Sequence, residues 1–284
     1  MKNSLGKKKL VMKRILFFAI AGFLTLTACQ NELKSEFNTK VIFTAQSEAG
    51  SRTILNNTNV LWQSTDAITL YTEEGESVVV TAKPYASGTC AKFEADVNLS
   101  DSYYAVYPYS AQSAFDQGRL TVQLPQRQSG KFADVNFAVA KSTADNILYF
   151  KHIVGYIEFT IDKPGVVEIS GSEGDAVVGD IRVLGFDGNN VPIYEVSNAK
   201  ESVSVEVKAS GTYYMAILPE AKLNTLWVTC EDGASYETAF SNNTLQMKRG
   251  KLVSLGNITD RFIPDGQFGA TIEDFILEEF PYNF

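Results

Sequence analysis

Apolar and polar residues alternate with a period of two along much of this chain. Between His152 and Ile161, Ile153, Gly155, Ile157, Phe159 and Ile161 alternate with Val154, Tyr156, Glu158 and Thr160. That period sends successive side chains to opposite faces of a strand and does not fit a helix of 3.6 residues per turn. Leu120, Val122 and Leu124 alternate in the same way with Thr121 and Gln123, and Val203, Val205 and Val207 with Ser204, Glu206 and Lys208. Each run offers one dry and one wet face, as antiparallel sheets require. Turn residues punctuate the runs at Glu73-Glu74-Gly75, Ala86-Ser87-Gly88, Asp187-Gly188-Asn189-Asn190 and Glu231-Asp232-Gly233. Many short strands with frequent turns predict an all-β protein of antiparallel sandwich type. No amphipathic helix of length is expected between Val41 and Ile258.

A short internal echo bears on domain count. Tyr103-Tyr104-Ala105-Val106-Tyr107-Pro108 returns as Tyr213-Tyr214-Met215-Ala216-Ile217-Leu218-Pro219. Two similar sandwiches in tandem would produce such a repeat. A cluster of Ser, Thr, Asp and Asn near residues 141–147 reads as the linker. The expected domains are therefore 41–145 and 146–259. In each tyrosine pair one ring should enter a core and the other stay partly exposed.

The two ends read differently. Residues 1–28 carry six basic residues and no acid, and the stretch from Ile15 to Leu26 is apolar except for Thr25. A dozen apolar residues are too few for a bilayer anchor of about 20. A basic head, a short apolar middle and small residues before a cut describe a secretory signal peptide, for which Met12-Lys13-Arg14 would itself make a compact start. Leu26-Thr27-Ala28-Cys29 resembles the lipobox of bacterial lipoproteins, which implies cleavage between Ala28 and Cys29 and acylation, including palmitate, on Cys29. Acyl chains contribute about 0.8 kcal/mol per buried CH₂, enough in combination for firm attachment. Residues 29–40 read as a polar tether. In the tail, residues 260–284, Ile272, Phe275, Ile276 and Phe280 recur at helical spacing, and Thr271 with Asp274 resembles a capping box. That tail is expected to be a short acidic amphipathic helix.

Charge and residue inventory narrow the chemistry. The chain has 25 basic and 33 acidic residues, and 19 against 33 once the first 28 are removed. Such an acidic surface repels phosphate backbones, so nucleic acid is not an expected partner. Cys90 and Cys230 have no CxxC neighbour and read as buried free thiols rather than a disulfide. The single histidine, His152, rules out an HExxH zinc site, and no GxSxG elbow or phosphate-cradling loop occurs. His152 opens a strongly alternating strand and reads as a packing residue, so no catalytic residue, metal or cofactor is expected. Paired carboxylates for glycoside hydrolysis stay open, because acids are plentiful and nothing marks a pair. Asp187-Gly188-Asn189-Asn190 and Glu173-Gly174-Asp175 are oxygen-rich but lack the ligand spacing of a calcium loop, and turn chemistry accounts for both. Trp62 and Trp227 are the only tryptophans and the residues that could stack on a sugar, although their apolar neighbours suggest core or edge packing.

One ordered set of motifs carries a family resemblance. Phe43-Thr44-Ala45, Ser51-Arg52-Thr53, Trp62 with Asp66 and Ile68, Tyr104 to Pro108, Leu124-Pro125 with Gln128, Phe150-Lys151-His152, Tyr213 to Pro219 and Gly250-Lys251-Leu252-Val253 resemble, in order, the fimbrillin-like (Mfa-like) surface lipoproteins. The resemblance implies two tandem transthyretin-like β-sandwiches on a lipoprotein of the outer membrane, exposed at the surface or built into a fimbrium. It implies partners of two kinds: other fimbrillin-type subunits, met by donor-strand exchange or edge contacts, and a host or bacterial surface protein or glycan in adhesion. It also implies proteolytic maturation after a basic residue near the first strand. Arg52, followed by Thr53, is the residue that could carry that cut; otherwise both belong to the second strand or turn. The helical spacing of the tail points away from a self-polymerising stalk subunit, whose donor segment should alternate with a period of two.

Overall fold

Alternating segments become strands wherever one of their faces can be covered. The computed structural model describes residues 39–47, 55–56, 59–109, 112–240 and 245–262. The signal segment, Cys29 and the tether through residue 38, Arg52 with Thr53, and the tail beyond residue 262 lie outside the described residues.

The chain is all-β. β1 (Thr39–Ser47) buries Val41, Phe43 and Ala45 and turns Ile42 outward. β2 (Leu55–Asn56) and β3 (Asn59–Val60) form a separate two-stranded ribbon. β4 (Ala67–Thr72), β5 (Ser77–Thr81), β6 (Lys83–Pro84), β7 (Cys90–Val97) and β8 (Tyr103–Tyr107) follow. The hairpin β9 (Ser113–Asp116) and β10 (Arg119–Leu124) leads into β11 (Arg127–Gln128), a single helical turn α1 (Phe132–Val135), β12 (Ala138–Lys141) and β13 (Ile147–His152). Then come β14 (Gly155–Ile161), β15 (Gly165–Gly171), β16 (Val178–Phe186), β17 (Pro192–Lys200) and β18 (Ser202–Val207). The last strands are β19 (Gly211–Ile217), β20 (Lys222–Cys230), β21 (Ser235–Ala239), β22 (Leu245–Gln246) and β23 (Leu252–Asn257). Among the described residues the only other helical turn is Thr259–Arg261.

One eight-stranded sheet runs β5, β4, β8, β12, β13, β1, β7, β6. Phe43, Ile68, Val80, Phe93, Tyr107, Ala140 and Phe150, one from each of seven of these strands, pack with Trp62 in a single core. A sheet can wall a core on both sides only by curling over itself, which strand twist favours. Three further sheets surround a second core: β17, β16, β10, β9; β11, β18, β15, β20, β21 with β22 beside β20; and β19, β14, β23.

The two cores share a wall. Tyr103, Ala105 and Tyr107 of β8 face the Trp62 core, while Tyr104 and Val106 on the opposite face belong to the second core. Tyr103 and Tyr104 are consequently both buried. Tyr213 and Tyr214 are both half-buried, the first stacked on Phe159 and the second edge-on to Phe132. The expectation of one core ring and one wet ring per pair is corrected, since in β8 a second layer of sheet covers the face that a lone sandwich would leave in water.

Strand pairing also crosses the expected boundary at residues 145 and 146. β13 pairs with β1 and β12 of the eight-stranded sheet, whereas β10 pairs with β16 and β11 with β18. The strand expected over His152–Ile161 is two strands. Ile153 and Val154 are both fully buried, so strict alternation fails there, and β14 restarts at Gly155. A Cβ on Gly155 would stand 2.6 Å from Lys248 O, so the chain passes between sheets where backbone meets backbone. On either side of this passage the same device recurs: β1 pairs in parallel with β13, and β14 in parallel with β23.

Candidate functional site

β1 is the first strand of the described chain, yet it lies inside a sheet. Antiparallel to β7, it pairs from Thr39 with Val97 through Gln46 with Cys90. Parallel to β13, it pairs from Thr44 with Ile147 through Ser47 with Phe150. Its alternation makes this possible: Val41, Phe43 and Ala45 point inward, and Phe43 meets Tyr103 edge-on at 4.9 Å between centroids. Without β1, the facing edges of β7 and β13 would present unpaired backbone groups, and Phe93, Leu148 and Phe150 would border an apolar slot.

Polar contacts hold the outer face of β1. Glu94 on β7 receives Lys83 Nζ at 2.8 Å, Lys92 Nζ at 2.9 Å and Lys40 Nζ at 3.3 Å. Hydrogen bonds from Lys83, Lys92 and Lys40, in that order of weight, hold its carboxyl down at about 2. Only Lys40 comes from β1.

The sequence-predicted residues fall in different places. Trp62 is 3% exposed and packs edge-on against Phe93, Tyr107 and Phe150. As a ligand contact it is corrected, because three rings and the curled sheet exclude any ligand. Trp227 is 39% exposed, with Leu226 and Val228 turned inward on the same strand. The apolar neighbours that suggested packing are the buried half of an alternation of which Trp227 is the outer half.

His152 is fully buried, with Nδ1 2.5 Å from Tyr156 Oη, which donates to Asn136 Oδ1 at 2.9 Å. Cys90 and Cys230 are free thiols, the first half-buried rather than buried. Burial pushes the Cys230 thiol up, and Asp232 adds to the effect. Asp187 Oδ1 accepts from Asn189 N and Val191 N, both at 2.8 Å, so its oxygen is spent on the turn between β16 and β17.

Two groups were not singled out as sites by sequence reasoning. Buried Asp66 accepts from Gln63 N at 2.7 Å and lies 3.5 Å from Tyr107 Oη, whose ionisation burial and this carboxylate push strongly upward. Gln128, quoted only as part of the family pattern, clamps the backbone of Ala216. A cleft of about 330 Å³ opens beside it, between Pro108, Tyr109, Pro125, Arg127 and Asp134.

No family model matches the chain, and no curated protein matches it. Solved structures do resemble it. A fimbrial assembly protein from Parabacteroides distasonis is 8% identical, with 77% of this chain and 91% of that one covered and a TM-score of 0.35. A Bacteroides ovatus protein assigned as an adhesin is 7% identical, covering 81% and 91%, with a TM-score of 0.37. A fimbrial protein from Bacteroides ovatus is 13% identical, covering 79% of this chain and 48% of that one, with a TM-score of 0.31. At scores of this size the likeness carries no argument, and the functional reading rests on the chain's own strands.

Proposed function

We propose that this chain is a non-catalytic surface lipoprotein of a fimbrial assembly, tethered through Cys29, whose first strand is the element exchanged when it joins a partner subunit. Two sandwiches that share β8 as a common wall would form its body. The observation that carries the reading is the position of β1, which is central in its sheet, first after the tether, and followed five residues later by Arg52. A cut after Arg52 would free β1 together with the lipid. Burying Phe43 and Val41 contributes about 1.5–3 kcal/mol each, so the emptied slot would favour capture of another alternating strand. An anchor or accessory role suits the chain better than a stalk role, given the helical spacing of the tail.

Mass spectrometry of the mature N-terminus from cells tests this. Acylated Cys29 before maturation, and Thr53 as N-terminus in SDS-resistant assemblies, are the expected results. The Arg52→Ala variant should keep the lipid, retain β1 and fail to enter assemblies. Assembly that proceeds unchanged in that variant, or a periplasmic product with residue 29 unmodified, overturns the proposal.

A further inference from the structure

The outer face of the six-stranded sheet carries one continuous cross-strand row. Arg127 pairs with Ser204, Ser204 with Glu168, Glu168 with Trp227 and Trp227 with Glu237. Directly opposed side chains on neighbouring strands have Cβ atoms about 4.5–5.5 Å apart. Trp227 is therefore flanked on both sides, at its own level, by a carboxylate. The rows next to it hold Thr225 with Ser170 and Thr229 with Val166, and the indole is 39% exposed.

Among the described residues these three side chains take part in no hydrogen bond, ion pair or ring contact. Trp227 enters none of the ring pairs of the described residues, and the cation over an aromatic ring is Lys141 on Tyr104. Glu168 and Glu237 take no part in the ion pairs of the described residues, such as those of Glu94 and of Arg182 with Glu195. An exposed indole attracts a cation to its ring face, more strongly than the other aromatics. Two carboxylates beside it supply the opposite charge and the acceptors that an ammonium or guanidinium group requires. The excess of acids over bases in the whole chain reinforces the sign.

We propose that this face docks a partner polypeptide through a lysine or arginine side chain laid over Trp227 between Glu168 and Glu237. The site lies on a sheet distinct from the one that holds β1, so it can succeed or fail independently of strand exchange. Charge complementarity selects the occupant: a neutral glycan can stack on the indole and donate hydroxyls to the carboxylates, but only a cation is drawn both by their charge and by the ring face.

Tryptophan fluorescence tests the proposal on the full secreted chain, because Trp62 is sealed in a core and Trp227 faces water. A lysine-rich and an arginine-rich peptide should quench or shift the red component of the emission. The effect should weaken about tenfold in E168Q/E237Q, vanish in W227F, and decline as salt is raised to about 0.5 M. Circular dichroism should show both variants folded, since all three positions lie on the outer face. An unchanged spectrum with basic peptides overturns the proposal. So does equal binding by E168Q/E237Q, or a salt-independent response to neutral oligosaccharides alone, which would make the face a glycan platform.

Discussion

Gln128 and Ala216 are joined by a pair of hydrogen bonds that imitates a rung of sheet. Gln128 Nε2 donates to Ala216 O, and Ala216 N donates to Gln128 Oε1, both at 2.8 Å and both buried. Nε2 also reaches Pro125 O at 3.2 Å. One side-chain amide thus supplies the donor and the acceptor that β19 lacks at Ala216, and it ties β11, from the first half of the chain, to a sheet of the second.

Gln128→Ala should therefore destabilise the protein by about 2–4 kcal/mol, since it strands a buried N–H and a buried C=O together. Gln128→Glu keeps an acceptor for Ala216 N but loses the donor and should be nearly as damaging. Urea unfolding followed by circular dichroism measures both. A midpoint within error of the unmodified chain would show that water replaces the amide at no cost.

The buried Asn136, Tyr156 and His152 cluster gives a second expectation. Tyr156→Phe removes the hydroxyl that bridges Asn136 Oδ1 and His152 Nδ1 while keeping the ring against Phe132. A loss of about 1–3 kcal/mol should follow from the unsatisfied partners. Thermal unfolding of the variant reads it, and an unchanged Tm would show that the cluster is neutral to stability.

Acid should act through Glu94. Its folded carboxyl is held at about 2 against an ordinary 4.5, so its contribution is complete above about pH 4.5 and is lost as pH falls toward 2. The stability difference between the unmodified chain and Glu94→Gln should accordingly shrink over that window, and more so at low salt. A difference constant from neutral pH to pH 2 would refute it. Lys40 travels with β1, so loss of that strand should also raise the Glu94 titration midpoint, which NMR can follow.

Much of the sheet content was legible in the sequence, because strands with one wet face write their geometry into it. β10 and β18 bury the apolar residues that their alternation marks, and the expected turns at Gly75, Gly88, Asn189 and Gly233 each lie between consecutive strands. Trp62 and Trp227 were not legible: both sit beside apolar neighbours, and only the identity of the covering layer separates a core indole from an exposed one.

The sequence by itself determined where strands lie, where they turn and which face of each is apolar, since period and turn chemistry are local properties of the chain. Tertiary structure alone decided that β1 occupies the middle of a sheet, that β8 is covered on both faces and that β10 pairs with β16. Those facts depend on which distant segments meet, and a strand's side-chain pattern states that a face must be covered without stating by what. Arg127, Ser204, Glu168, Trp227 and Glu237 span more than a hundred positions of sequence, and only the register of five strands sets them in one row.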